Sequence, residues 1–99
     1  DIAEVVNSER LNKIGNILSI SLKHRGNMDV DILENKEGEL FVLEINARFG
    51  GGYPFSHLAG ADFPLALVDM VNKKEPRGIS DINYGVIGLK SLSVIEAKQ

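Results

Sequence analysis

The sequence predicts an α+β fold: an antiparallel sheet with helices packed on one face. Three observations carry this. Apolar residues recur at helical spacing through the first quarter of the chain, the spacing then switches to two on either side of a turn segment, and a second helical stripe leads into a late alternating run.

Taken in order, Leu11, Ile14, Leu18 and Leu22 lie one helical turn apart, and Ile17 widens their stripe, which predicts an amphipathic helix from Asp1 to about His24. Val5 and Val6 can instead form a separate short turn, with Asn7 and Ser8 capping a second helical start. Gly26 and Asn27 end the helix. Between Met28 and Leu33 the period becomes two, with Met28, Val30 and Ile32 on one face and Asp29 and Asp31 on the other. Asn35-Lys36-Glu37-Gly38 has turn chemistry, and Leu40 to Asn46 is rich in strand formers, so the two runs form a β-hairpin. The glycines of Ala47 to Pro54 exclude regular structure there. A helical turn is expected from His57 to Gly60. Asp62 then caps a helix whose first turn admits Pro64, which uses Leu67, Val68 and Val71, and which stops before Pro76. Arg77 to Gly85 connects to a last strand, Val86 to Ile95, expected in the same sheet as the hairpin.

Composition narrows the class. With 99 residues, 43% of them hydrophobic and 25% charged, the chain suits one globular domain. At that length it buries well under three quarters of its unfolded surface, so self-association into a homo-oligomer is compatible with its size. A net charge of -3 and a pI near 5.3 exclude a dominant nucleic-acid role. Absence of cysteine excludes disulfides, thiolate metal sites and a cysteine nucleophile. No apolar run approaches the ~20 residues of a membrane span, and no signal pattern opens the chain, so a cytoplasmic location is expected. The sequence starts at Asp1 rather than Met, as if cut from something longer.

The chemistry concentrates at the end of the hairpin. Glu44 and Asn46 are two apart and share a face, with Leu43 and Ile45 on the other. If the register brings Asp31 opposite them, two carboxylates and an amide oxygen converge, the hard donors that Mg²⁺ prefers beside water and phosphate. Arg48 adds a guanidinium fork, and Gly50, Gly51 and Gly52 add flexible backbone N–H groups, both suited to phosphate oxygens. The plainer alternative is that Glu44 and Asn46 form the solvent face of an edge hairpin, that Arg48 pairs with one of them, and that the glycines merely turn the chain. Other candidates have simpler readings. His57 suits a capping or surface place, and His24 a helix end. Asp29 is solvated or neighbours the metal donors, and Lys73-Lys74-Glu75 is a solvated helix end.

Asp31, the run Glu44-Ile45-Asn46-Ala47-Arg48 and the run Phe49-Gly50-Gly51-Gly52-Tyr53-Pro54 together resemble the C-terminal part of the ATP-grasp superfamily. Within it the likeness is to proteins similar to the carbamoyl phosphate synthetase large subunit, over roughly residues 10–72. The resemblance implies ATP and Mg²⁺ (or Mn²⁺) as cofactors, with Asp31, Glu44 and Asn46 as ligands of one or two metal ions. It implies a phosphate or intermediate-stabilising role for Arg48, beside Gly50, Gly51 and Gly52 at the nucleotide. The implied parent is a carboxylate–amine ligase that takes a small carboxylate and an amine or ammonia through an acyl phosphate. On the same resemblance, residues 1–99 are a single partial domain, the C-terminal subdomain, without the lid and N-terminal substrate domain and inactive alone. Ala47 stands where the carbamoyl phosphate synthetase branch commonly has proline. The alternative of a different class is a non-catalytic binding or oligomerisation module that keeps the hairpin.

Overall fold

The structure, a computed structural model, describes residues 1–98. It is α+β, in the order β1 (Ile2–Glu4), α1 (Glu9–Leu22), β2 (Asp29–Glu34), β3 (Leu40–Asn46), α2 (Tyr53–Leu58), α3 (Phe63–Val71) and β4 (Ile87–Leu89). The helix begins later than the apolar stripe alone suggests. Ser8 is its N-cap: the Oγ accepts a hydrogen bond from the Leu11 amide at 3.3 Å, with Glu9 in the first turn where the dipole favours it. Residues ahead of that cap are free to pair elsewhere, and Ile2, Ala3 and Glu4 join Leu89, Gly88 and Ile87 as an antiparallel ladder.

That pairing corrects the single-sheet expectation. Among the described residues there are two two-stranded sheets, β1–β4 and β2–β3, and the late strand belongs to the first of them. It is also shorter than the alternating run, because β1 offers only three residues to pair with. Gly88 explains why α2 can lie against β4: a Cβ there would meet the Phe55 ring at 2.7 Å, so only glycine lets that ring seat on the strand. The core sits here, formed by Phe55, Ala59, Ala61 and Ala66. The expected helical turn at His57 is in fact the end of α2, which starts at Tyr53 because Pro54 suits a first helical turn. Asp62 caps α3 as anticipated, its Oδ1 accepting from the Leu65 amide at 3.1 Å.

In the hairpin, the Asn35 Oδ1 accepts from the amides of Glu37 (3.1 Å) and Glu39 (2.8 Å), which closes the turn. The ladder from the turn pairs Glu34 with Leu40, Leu33 with Phe41 and Ile32 with Val42. It then slips: Asp31 pairs with Glu44, Val30 with Ile45 and Asp29 with Asn46, leaving Leu43 without a partner in a β-bulge. Strict alternation had put Leu43 beside Ile45, whereas the bulge puts Val42 on the Ile45 side with Ile32.

An ion pair on a buried carboxylate, with the arginine itself 65% exposed, fixes the segment after α3. Asp69 is 1% exposed and accepts from the Arg77 Nε (2.9 Å), Nη2 (2.8 Å) and backbone amide (3.0 Å). Elsewhere the surface is open. α1 buries no residue, and Ile17 and Ile20 face solvent at 63% and 76% exposure. The radius of gyration is 15.7 Å, against about 13 Å for a compact domain of this length. The accessible surface of 8118 Å² exceeds by roughly 2,600 Å² what a folded monomer of this mass exposes.

Candidate functional site

The register decides which polar side chains can meet. Cross-strand partners in an antiparallel ladder project to the same face, and so do residues two apart on one strand. Asp31 opposite Glu44, with Asn46 opposite Asp29, therefore places all four side chains on one face at the end of the hairpin. This is the face the metal hypothesis requires of Asp31. Among the described residues no three His, Cys, Asp or Glu side chains gather at metal-binding spacing, so Asp29 does not join Asp31 and Glu44 as a third carboxylate.

Asp29 is engaged otherwise. Its carboxylate lies directly over the backbone of Gly50, where any Cβ would overlap the carboxylate carbon and both oxygens. Gly50 is thus required by close approach rather than by turn geometry. Between these residues lies a cleft of about 270 Å³ that is lined, among others, by Asn27, Asp29, Arg48, Gly50, Gly52 and Tyr53. Arg48 is exposed, and its Nη1 donates to the Phe49 carbonyl at 2.9 Å, which pairs it with backbone rather than with Glu44 or Asn46. The plainer alternative of an Arg48 ion pair on the hairpin does not hold among the described residues.

The glycine run is held by its carbonyls. Gly50 and Gly52 accept from the amides of Tyr53 and Phe55, both at 3.1 Å, and Gly51 accepts from the Lys90 ammonium at 2.7 Å. The N–H groups of Gly50, Gly51 and Gly52 donate to no acceptor among the described residues. A loop whose carbonyls are tied down and whose amides are unspent can offer donors to an anion.

The family described as ATP-grasp in the biosynthetic pathway with the Ter operon matches residues 1–88 of the sequence. The chain belongs to this ATP-grasp family. No curated protein and no solved structure matches it. Family membership points to the ATP-dependent ligase type, and the residues on which the resemblance of this ATP-grasp chain was read lie in the hairpin and its glycine loop. No helix among the described residues is long and apolar enough to cross a membrane.

Two residues beside this cleft and loop were given no role in the sequence reading of this ATP-grasp chain. Tyr53 is a hub: its hydroxyl donates to the Ala61 carbonyl at 2.8 Å and accepts from the Phe63 amide at 3.0 Å. Its ring lies 4.7 Å from that of Phe49 and stacks on Phe63 at 5.3 Å. The third partner is His57, with Nδ1 2.9 Å from the same oxygen. Since the Tyr53 proton goes to a carbonyl that can only accept, His57 Nδ1 must donate, which fixes its tautomer. The four-residue steps from Phe49 to Tyr53 to His57 were a legible signal for this stack. Lys90 had none: it lies outside the family match, and only the β1–β4 pairing brings it to Gly51 and, at 5.7 Å, over the Phe55 ring. His24, just past the end of α1, donates from Nε2 to the Asn27 carbonyl at 3.0 Å.

Proposed function

We propose that this chain is the metal and nucleotide-phosphate half of an ATP-dependent carboxylate–amine ligase of the carbamoyl phosphate synthetase-like kind. The observation that supports it most is the cross-strand pairing of Asp31 with Glu44, on one face with Asn46 and next to the cleft lined by Arg48 and the glycine loop. Two carboxylates and an amide fit Mg²⁺ or Mn²⁺, since such ions keep several positions for water and substrate phosphate. When bound, the metal supplies charge stabilisation on the phosphate oxygens.

The chain's own residues bind and align. Asp31, Glu44 and Asn46 offer oxygens to the cation, and the Gly50, Gly51 and Gly52 amides offer donors to phosphate. Arg48 turns its fork from the Phe49 carbonyl to the phosphoryl group as it transfers, stabilising charge that grows in the transition state. Leu33 and Phe41 share the Asp31 face and are 55% and 47% exposed, so they offer an apolar shelf beside the phosphates for a planar base. In the full enzyme the carboxylate substrate takes the γ-phosphoryl group of ATP to become an acyl phosphate with release of ADP. An amine or ammonia then displaces phosphate. The remaining nucleotide contacts come from domains outside residues 1–99, and the setting is cytoplasmic.

Mn²⁺ titration of the isotopically labelled chain tests this reading. Paramagnetic broadening should centre on Asp31, Glu44 and Asn46 and weaken sharply in Glu44→Gln. Broadening centred elsewhere, or unchanged in that variant, sinks it. The large exposed apolar surface favours one second reading, an oligomerisation module that retains the hairpin without turnover. Stable self-association together with no Mn²⁺ effect at the hairpin would select that reading.

A further inference from the structure

A second concavity, of about 360 Å³, opens between α3 and the segment that follows α1. Its floor is apolar. Phe63, Leu67 and Met70 come from α3, and Pro76 and Ile79 come from the connection held down by the Asp69–Arg77 pair. The opposite wall carries His24 and Arg25. Arg25 makes no ion pair or hydrogen bond among the described residues, whereas Arg10 and Arg77 each have a carboxylate partner. His24 is oriented by its bond to the Asn27 carbonyl. Asn27 and Phe63 also line the cleft beside Arg48, so the two cavities share a wall.

An apolar cavity of ligand size with one unspent guanidinium at its edge selects a ligand with two properties: an apolar body, and a planar anion that the fork can grip. We propose that this cavity is a binding site for a small carboxylate with an apolar body, the chain or ring lying on Leu67, Met70 and Ile79 and the carboxylate on Arg25. A cationic amphiphile is disfavoured by the same charge, and a simple anion such as phosphate lacks the apolar part. The site does not depend on the nucleotide assignment, because it uses none of Asp31, Glu44, Asn46 or Arg48.

The test is an NMR titration of the labelled 99-residue chain with octanoate, octanol and octylamine in parallel. Octanoate should shift the amides of Arg25, Gly26, Leu67, Met70 and Ile79 and bind tighter than octylamine. Arg25→Met should weaken octanoate by about tenfold, the usual worth of one charge-assisted pair, while leaving octanol unchanged. Arg25→Glu should reverse the order of octanoate and octylamine. Met70→Trp fills the cavity from a position 41% exposed, where a larger ring is tolerated, and should abolish binding of octanoate and octanol alike. Dispersed spectra of each variant report that it is folded. The proposal is overturned if octylamine binds as well as octanoate, if Arg25→Met leaves octanoate affinity intact, or if the shifts fall on the exposed face of α1 around Ile17 and Ile20.

Discussion

Replacing Gly50 with alanine isolates the contact on which the shape of the cleft beside Arg48 depends. The new methyl would overlap the Cγ and both oxygens of Asp29, so one of the two must move. Forcing a methyl into a rigid core costs about 1–3 kcal/mol. Here the colliding atoms all belong to one short side chain beside an open cleft, so Asp29 can rotate away for the price of an unfavourable rotamer, about 0.5–1.5 kcal/mol. We expect a loss of about 1 kcal/mol, seen as a fall in Tm of roughly 4–8 °C. Thermal and urea unfolding of four chains would measure it: wild type, Gly50→Ala, Asp29→Ala and the double variant. Because Asp29→Ala removes every atom in the clash, Gly50→Ala should cost almost nothing in that background, giving a coupling of most of the single-variant loss. An equal cost in both backgrounds would refute the close-approach argument and return Gly50 to being a simple turn residue.

Tyr53→Phe strips the hydroxyl from two part-buried partners, the Ala61 carbonyl and the Phe63 amide, and should destabilise the chain by about 2–3 kcal/mol; the nitrogen shifts of His57 should then lose the fixed Nδ1–H tautomer. The Arg77 guanidinium, through its hydrogen bonds first, holds the Asp69 carboxyl down from 3.8 to about 2 against the opposing effect of burial. A lowered folded-state value means stability that is present above the unfolded value and lost as pH falls from about 4 towards 2, so wild-type Tm should fall more steeply across that window than that of Asp69→Asn. On the proposed ligase reading, Arg48→Ala in the full-length enzyme should lower kcat with a smaller change in KM for ATP, and Arg48→Lys should restore only part, because a point charge lacks the bidentate fork. The 99-residue chain alone should show no ATP-dependent ligation, and steady ADP release abolished by Glu44→Ala would contradict that.

What could be read from the sequence was what is encoded locally. The hairpin, with β3 running from Leu40 to Asn46, follows from a period of two around the Asn35-Lys36-Glu37-Gly38 turn, and the start of α3 follows from Asp62 and Pro64. Membership of the ATP-grasp superfamily was also legible, because Glu44, Asn46, Arg48 and the glycine run stand close together in one stretch. Ile2 to Glu4 were not legible as a strand, because three residues carry no period and their pairing depends on residues more than eighty positions away. Lys90 at Gly51 fails for the same reason. The contact between Asp29 and Gly50 was hidden differently: both residues were noticed, one as an acid near the metal donors and the other as a loop glycine. Only the fold of the loop back over the strand joins them.

Leu43 has a consequence for the evolution of the hairpin. Counted outward from the turn, partners on the two strands hold one parity, and an unbroken ladder on that count would set Asp31 across from Leu43 and Glu44 across from Val30. The acid would then sit on the greasy side, among Ile32 and Val42, and no exchange of side chains at Asp31 could bring it back. One surplus residue resets the count, so the half of the hairpin that packs and the half that carries carboxylates obey separate constraints. A lineage could lengthen or reshape the turn without dragging the acidic pair out of alignment, provided Leu43 continued to absorb the odd residue.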